Sequence, residues 1–161
     1  MRNVLSVLVE NEAGVLARIS GMFSRRGYNI ESITVGPSEI PGLSRMVIVT
    51  DIEDVEQIQK QLYKLINTIK VTNLSDLDYL DRELALIKVS TKNHRAEIIE
   101  ISNLFRTRII DVGDDSLIIE AVGDNEKLGA LIQILKPYGI KEVVRTGAIA
   151  VQRGKKTTRN L

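Results

Sequence analysis

The hydrophobic pattern of this chain runs through one order of elements twice, and that order leaves few folds open. Residues 4–9, Val-Leu-Ser-Val-Leu-Val, are an apolar, β-branched run that stops at Glu10-Asn11-Glu12, which reads as a buried strand ending in a loop. Val15, Leu16, Ile19, Met22 and Phe23 recur at helical spacing, and Gly27 after Arg25-Arg26 marks the end of that helix. Residues 29–35 fit a second strand closed by Gly36-Pro37, Pro41-Gly42 marks a turn, and residues 43–50 give a third strand. Val55, Ile58, Leu62, Leu65 and Ile66 form another helical stripe, and Ile69 and Val71 start a fourth strand. The order is βαββαβ.

It then repeats. Residues 84–89 read as a strand, and Ile98, Ile101, Leu104 and Phe105 as a helix stripe. Two strands, 109–112 and 117–122, flank the hairpin signal Gly113-Asp114-Asp115. Leu128, Leu131, Ile132 and Leu135 make a further stripe, and residues 143–151 close as one strand. The expected fold class is α+β: two ferredoxin-like sandwiches, over residues 1–77 and 78–161, each an antiparallel sheet with two helices on one face. The boundary is placed within residues 76–81, which are acidic and weakly periodic. Each sheet would leave one face bare, and domains this small bury little surface alone. Pairing with a second copy is therefore expected on structural grounds.

Composition excludes several functions. The chain has no cysteine, so disulfides and thiolate metal sites are ruled out. Net charge is +1, with 8 basic and 9 acidic residues in 1–77 and 14 and 12 in 78–161, so nothing draws the chain to nucleic acid or an anionic membrane. Arg153, Lys155, Lys156 and Arg159 are read as a frayed, solvated terminus. No apolar run reaches membrane-spanning length and the start lacks a signal-peptide core, so a cytoplasmic protein is expected. Aromatics are 4% and the third strand has none, which counts against an RNA-binding module of the same element order. The single histidine, His94, is read as surface or capping, and every catalytic triad would have to use it. Asp111, Asp114 and Asp115 are better explained by a hairpin turn than by a metal.

Two segments point to binding instead. Asn11-Glu12-Ala13-Gly14-Val15-Leu16 joins a strand to a helix N-terminus, where unsatisfied N–H groups and the helix dipole favour an anion. Asn29, in Gly27-Tyr28-Asn29-Ile30, is a poor strand former whose amide is available to a ligand. Taken singly, each is better explained by a turn. Taken together, Asn-x-x-Gly-x-Leu, an amphipathic helix and Gly-Tyr-Asn-Ile within a βαββαβ order resemble the ACT domain, a family of small-molecule-binding regulatory modules.

More narrowly, the run from Leu5 through Glu31, with Leu43-Ser44-Arg45-Met46, resembles the small regulatory subunit of acetolactate synthase (acetohydroxyacid synthase). Phe105-Arg106, Ile109-Ile110-Asp111-Val112 and Arg145-Thr146-Gly147 are similar to that family's C-terminal domain. The common ACT pattern has Asp and Pro where this chain has Asn11 and Ala13. The resemblance implies a homodimer in which Asn11, Ala13, Gly14, Val15 and Leu16 of one chain and Asn29 and Ile30 of the other hold valine or a related branched-chain amino acid. It implies no active site and no cofactor on this chain. It implies feedback inhibition and activation of a separate catalytic subunit carrying thiamine diphosphate, Mg2+ and often FAD, which condenses two pyruvates, or pyruvate with 2-oxobutanoate. A free-standing ACT regulator of another enzyme or of a promoter is the alternative.

Overall fold

A computed structural model describes residues 2–158 and divides the chain into two compact units. One runs to Asp81 and takes in the chain from Ala148 onward; the other is Arg82–Gly147. The first unit contains β1 (Asn3–Glu10), α1 (Val15–Arg25), β2 (Ser32–Pro37), β3 (Leu43–Thr50), α2 (Val55–Tyr63) and β4 (Thr68–Asn73). Its sheet is antiparallel between neighbours, in the order β2-β3-β1-β4. This is the expected βαββαβ sandwich, with Leu5, Val7 and Val9 of β1 packed against Val15, Ile19, Met22 and Phe23 of α1 and Ile58 and Leu62 of α2.

Local chemistry explains the boundaries. α1 ends in a Schellman arrangement: Tyr28 N–H bonds Phe23 O at 3.0 Å, Gly27 N–H bonds Ser24 O at 3.0 Å, and Gly27 sits at φ 66°. The apolar contact that accompanies this motif is present, because the Phe23 and Tyr28 rings meet edge to face at 6.4 Å. α2 begins at Asp54, whose carboxylate accepts the Gln57 N–H at 3.0 Å. Three expectations shift. β2 starts at Ser32 rather than residue 29, since the Asn29 carbonyl is taken by Thr50 Oγ1 at 2.8 Å. α2 stops at Tyr63, so Leu65 and Ile66 lie in a turn and Ile66 is 87% exposed. The single closing strand over 143–151 is two, β8 (Ile140–Arg145) and β9 (Ile149–Gln152), parted by Gly147 at φ 83°.

That break alters the expected domain limits. The chain from Ala148 belongs with the first unit, not the second. There Ala148 is buried with Val4, Val47, Val49 and Leu74, while Ala150 and Tyr79 pack alongside. The helix-free face of the first sheet, expected to be bare, is thus partly covered by the protein's own C-terminal segment. Nor is the tail uniformly frayed: Arg153 pairs with Asp78 at 3.4 Å, and Thr158 is buried with its hydroxyl on Arg45. Lys155 and Lys156 are exposed as expected, and Arg159 lies outside the described residues.

The second unit contains most of β5 (Tyr79–Ser90), then α3 (Arg95–Leu104), β6 (Arg108–Val112), β7 (Ser116–Gly123), α4 (Asn125–Gly139) and β8, with strands in the order β6-β7-β5-β8. β5 alternates: Ala85, Ile87 and Val89 are buried on the helix side, as a strand with one covered face should be. Buried Glu83 holds Arg145 through two bonds of 2.7 and 2.8 Å. His94 is exposed at the start of α3, with Nδ1 3.1 Å from Glu97 Oε1, and Tyr138 donates to the other Glu97 oxygen at 3.0 Å. These hydrogen bonds, His94 first, hold the Glu97 carboxyl below the ordinary 4.5, and the same carboxylate raises the Tyr138 hydroxyl above 10.0.

Two outcomes follow. Replacing Phe23, buried and edge to face with Tyr28, by alanine should destabilise the protein by about 3–5 kcal/mol in denaturant unfolding. Because the Glu97 pKa is lowered by folding, its contribution to stability is present above the ordinary glutamate value and is lost as pH falls through the folded value. His94→Ala should move the Glu97 carboxyl titration upward, read by NMR.

Candidate functional site

The strongest candidate is the loop where β1 runs into α1. Asn11 N–H is anchored to Gly42 O at 2.9 Å, Glu12 N–H turns back to Glu10 O at 3.0 Å, and Arg18 N–H reaches Gly14 O at 3.0 Å. Gly14 stands at the N-cap of α1 with φ 86° and ψ −6°, a left-handed conformation that costs other residues energy. It brings no capping side chain, and the first turn of α1 holds no acidic residue. α2 differs on both counts, with Asp54 as its cap and Glu56 in its first turn. The N-terminus of α1 thus has neither a capping side chain nor a first-turn carboxylate, which leaves its N–H groups open to an external carboxylate.

The corner is open to solvent and has apolar side chains beside it. Asn11, Glu12, Ala13 and Gly14 are exposed, and a Cβ built on Gly14 meets nothing within 4 Å. Val15 is buried beneath the loop while Leu16 is 46% exposed beside it. Sequence reasoning missed the residues that brace this loop. Asn67, buried just before β4, donates to Glu10 at 2.8 Å and Glu12 at 3.2 Å and accepts from Arg18. An asparagine following Leu65-Ile66 at a strand start was the available sign of a turn.

Asn29 and Ile30 are elsewhere. β1 and β3 pair from Asn3↔Thr50 to Glu10↔Leu43. The Gly14 loop lies at the Glu10 end, anchored to Gly42, whereas Asn29 lies at the opposite end, bonded to Thr50. An eight-residue strand separates them, roughly 23 Å at strand rise. Asn29 is exposed there and Ile30 is half-buried against the core. One chain thus brings Asn11, Ala13, Gly14, Val15 and Leu16 together and keeps Asn29 and Ile30 apart from them.

The sheet's two edges are unlike. β4 is covered at mid-strand by Tyr63, whose hydroxyl accepts from Val71 N–H at 3.0 Å and donates to Val71 O at 3.2 Å. β2, the other edge, carries Val35 at 47% exposure. Among the described residues no cluster of three or more His, Asp or Glu is disposed to hold a metal, and no helix is long and apolar enough to cross a membrane. Of the aspartates near the β6–β7 turn, Asp115 pairs with Lys141 at 3.3 Å and the Asp114 carbonyl accepts from Arg95 at 2.8 Å.

Comparison with known proteins finds a separate family match in each half of the chain, the second of which extends past Ala148. A family described as "AHAS small subunit-like ACT domain" matches residues 5–70, and one described as "Small subunit of acetolactate synthase" matches residues 82–154. The chain is 52% identical over 159 residues to a probable acetolactate synthase small subunit of Archaeoglobus fulgidus, covering 97% of this chain and 99% of that one. It is 52% identical over 155 residues to the acetolactate synthase small subunit of Mycolicibacterium smegmatis, covering 94% and 91%. The crystal structure of the acetolactate synthase small subunit from Thermotoga maritima superposes with a TM-score of 0.88 at 42% identity, covering 97% of this chain and 99% of that one. The chain belongs to the family of small, regulatory subunits of acetolactate synthase, and its first unit is an ACT domain.

Proposed function

We infer that this protein binds valine, or a related branched-chain amino acid, at a seam between two copies of its first unit, and that occupancy inhibits the catalytic subunit. The carrying observation is the separation of Asn29 from the Gly14 loop by the length of the sheet. No single chain can put both on one amino acid. A two-fold axis at the β2 edge would bring the Asn29 end of one copy to the Gly14 end of the other. The edge is available for this: β2 ends the strand order, while β4 is covered by Tyr63. The ligand carboxylate would take the N–H groups opening α1, and Leu16 would flank the aliphatic side chain.

The second unit serves to engage and activate the catalytic subunit. That partner carries thiamine diphosphate, Mg2+ and often FAD, and condenses two pyruvates, or pyruvate with 2-oxobutanoate, in the cytoplasm. This chain contributes regulation and no catalytic group. Discrimination among valine, leucine and isoleucine rests on a methylene or its placement, about 1–3 kcal/mol in an apolar pocket.

Light scattering should find a dimer or larger at micromolar concentration; a monomer would defeat a shared site. Gly14→Asp should abolish feedback inhibition and leave activation largely intact. An added Cβ meets nothing within 4 Å, but the left-handed backbone makes aspartate a strained and poorly aimed cap rather than a free improvement. Its charge opposes the ligand's, lowering affinity on the order of a hundredfold where water is excluded. Asn29→Ala should weaken binding less. In a mixed dimer of the two variants, one site carries both defects and the other neither, so about half the valine capacity should persist at normal affinity in calorimetry. Complete loss with both chains folded overturns the shared site.

A further inference from the structure

The side chain of Asn67 does more than close a strand. Ending the β1–β4 ladder needs only its backbone carbonyl, which accepts Glu10 N–H at 2.9 Å and which any residue would supply. The amide goes further. Its nitrogen donates to Glu10 Oε2 at 2.8 Å and Glu12 Oε2 at 3.2 Å, and its oxygen accepts from Arg18. Both N–H groups and the carbonyl oxygen are thereby used, in a residue that is 4% exposed, where such bonds are least weakened by water.

The partners bracket Gly14. Glu12 precedes it within the loop, and Arg18 follows it one turn into α1, with its own N–H on the Gly14 carbonyl. Gly14 contributes no side chain to fix the corner and is the residue type with the widest backbone freedom. Recognition of a carboxylate by main-chain N–H groups requires those groups to be held in place before the ligand arrives. Asn67 ties the loop before the glycine to the helix after it.

We propose that Asn67 is a positioning residue for the effector loop, fixing the Glu12–Gly14–Arg18 corner and so setting effector affinity. The affinity part rests on the reading of that loop as the amino-acid site; the positioning part does not. Asn67→Leu keeps the size and removes every side-chain bond. In the full-length protein it should speed hydrogen exchange at least tenfold at the Asn11 and Arg18 amides, which are bonded to the Gly42 and Gly14 carbonyls, leave residues 46–49 in β3 unchanged, and weaken valine binding about tenfold by calorimetry. Glu12→Ala, at an exposed position, keeps the experiment alive if Asn67→Leu fails to fold, and should shift the same amides in the same direction by a smaller factor. The double variant should be no worse than Asn67→Leu alone. Unchanged loop exchange in a folded variant, faster exchange spread evenly over the sheet, additive effects, or unaltered valine affinity despite a loosened loop would each overturn the proposal. If loop exchange responds as expected but the unsubstituted protein binds no branched-chain amino acid, the function reading fails while the positioning role stands.

Discussion

The first unit is organised around the burial of β1. Every residue from Asn3 to Val9 is buried, so the strand is covered on both faces, and β3 and β4 pair along its two sides. Leu5, Val7 and Val9 face the helices, while Val4 faces Val47, Val49, Leu74 and Ala148. With both faces apolar and both edges paired, register has little room to slip, since a shift of one residue would exchange the two faces. The end of β1 is thereby a fixed point, and the Gly14 loop starts from it. Its bonds to Gly42 and Asn67 reach the ends of the strands on either side.

Edges decide what the sheet can add. A free strand edge offers a row of N–H and C=O groups to any other strand. At β4 the Tyr63 hydroxyl occupies both backbone groups of Val71, so a tyrosine exposed at 48% has a structural use at its tip. β2 ends the strand order on the other side and presents Val35. The two edges of this sheet are therefore chemically unlike: one has a side chain on its mid-strand backbone groups, and the other ends the strand order with an exposed valine.

The two sheets also solve the problem of a helix-free face differently. In the first, residues after Gly147 return to cover it, at Ala148, Ala150 and the Thr158–Arg45 contact. In the second, β5 buries Ala85, Ile87 and Val89 on the helix side and leaves Leu86 and Lys88 only partly covered on the other. The apolar, β-branched run of residues 4–9 carries the first case in the sequence, whereas residues 84–89, Leu-Ala-Leu-Ile-Lys-Val, are apolar but for Lys88 and alternate only in their burial.

Local pattern determined the element order, both helix stripes that carry buried residues in each unit, and the Gly27 stop, because periodicity and backbone chemistry act within a few residues. It also singled out the Gly14 corner, since a glycine between a strand and a helix has few uses. Motifs in both halves identified the family. What it could not carry was anything set by partners far along the chain. Asn29 reads as a strand residue until Thr50 claims its carbonyl. Residues 143–151 read as one strand until Gly147 turns the chain back to the first unit. Asn67 carries no more than a turn signal in the sequence; its role comes from Glu10, Glu12 and Arg18, which converge on it only in the folded chain. The separation of Asn29 from Gly14 is likewise a consequence of strand register, and register is fixed by packing on two faces at once.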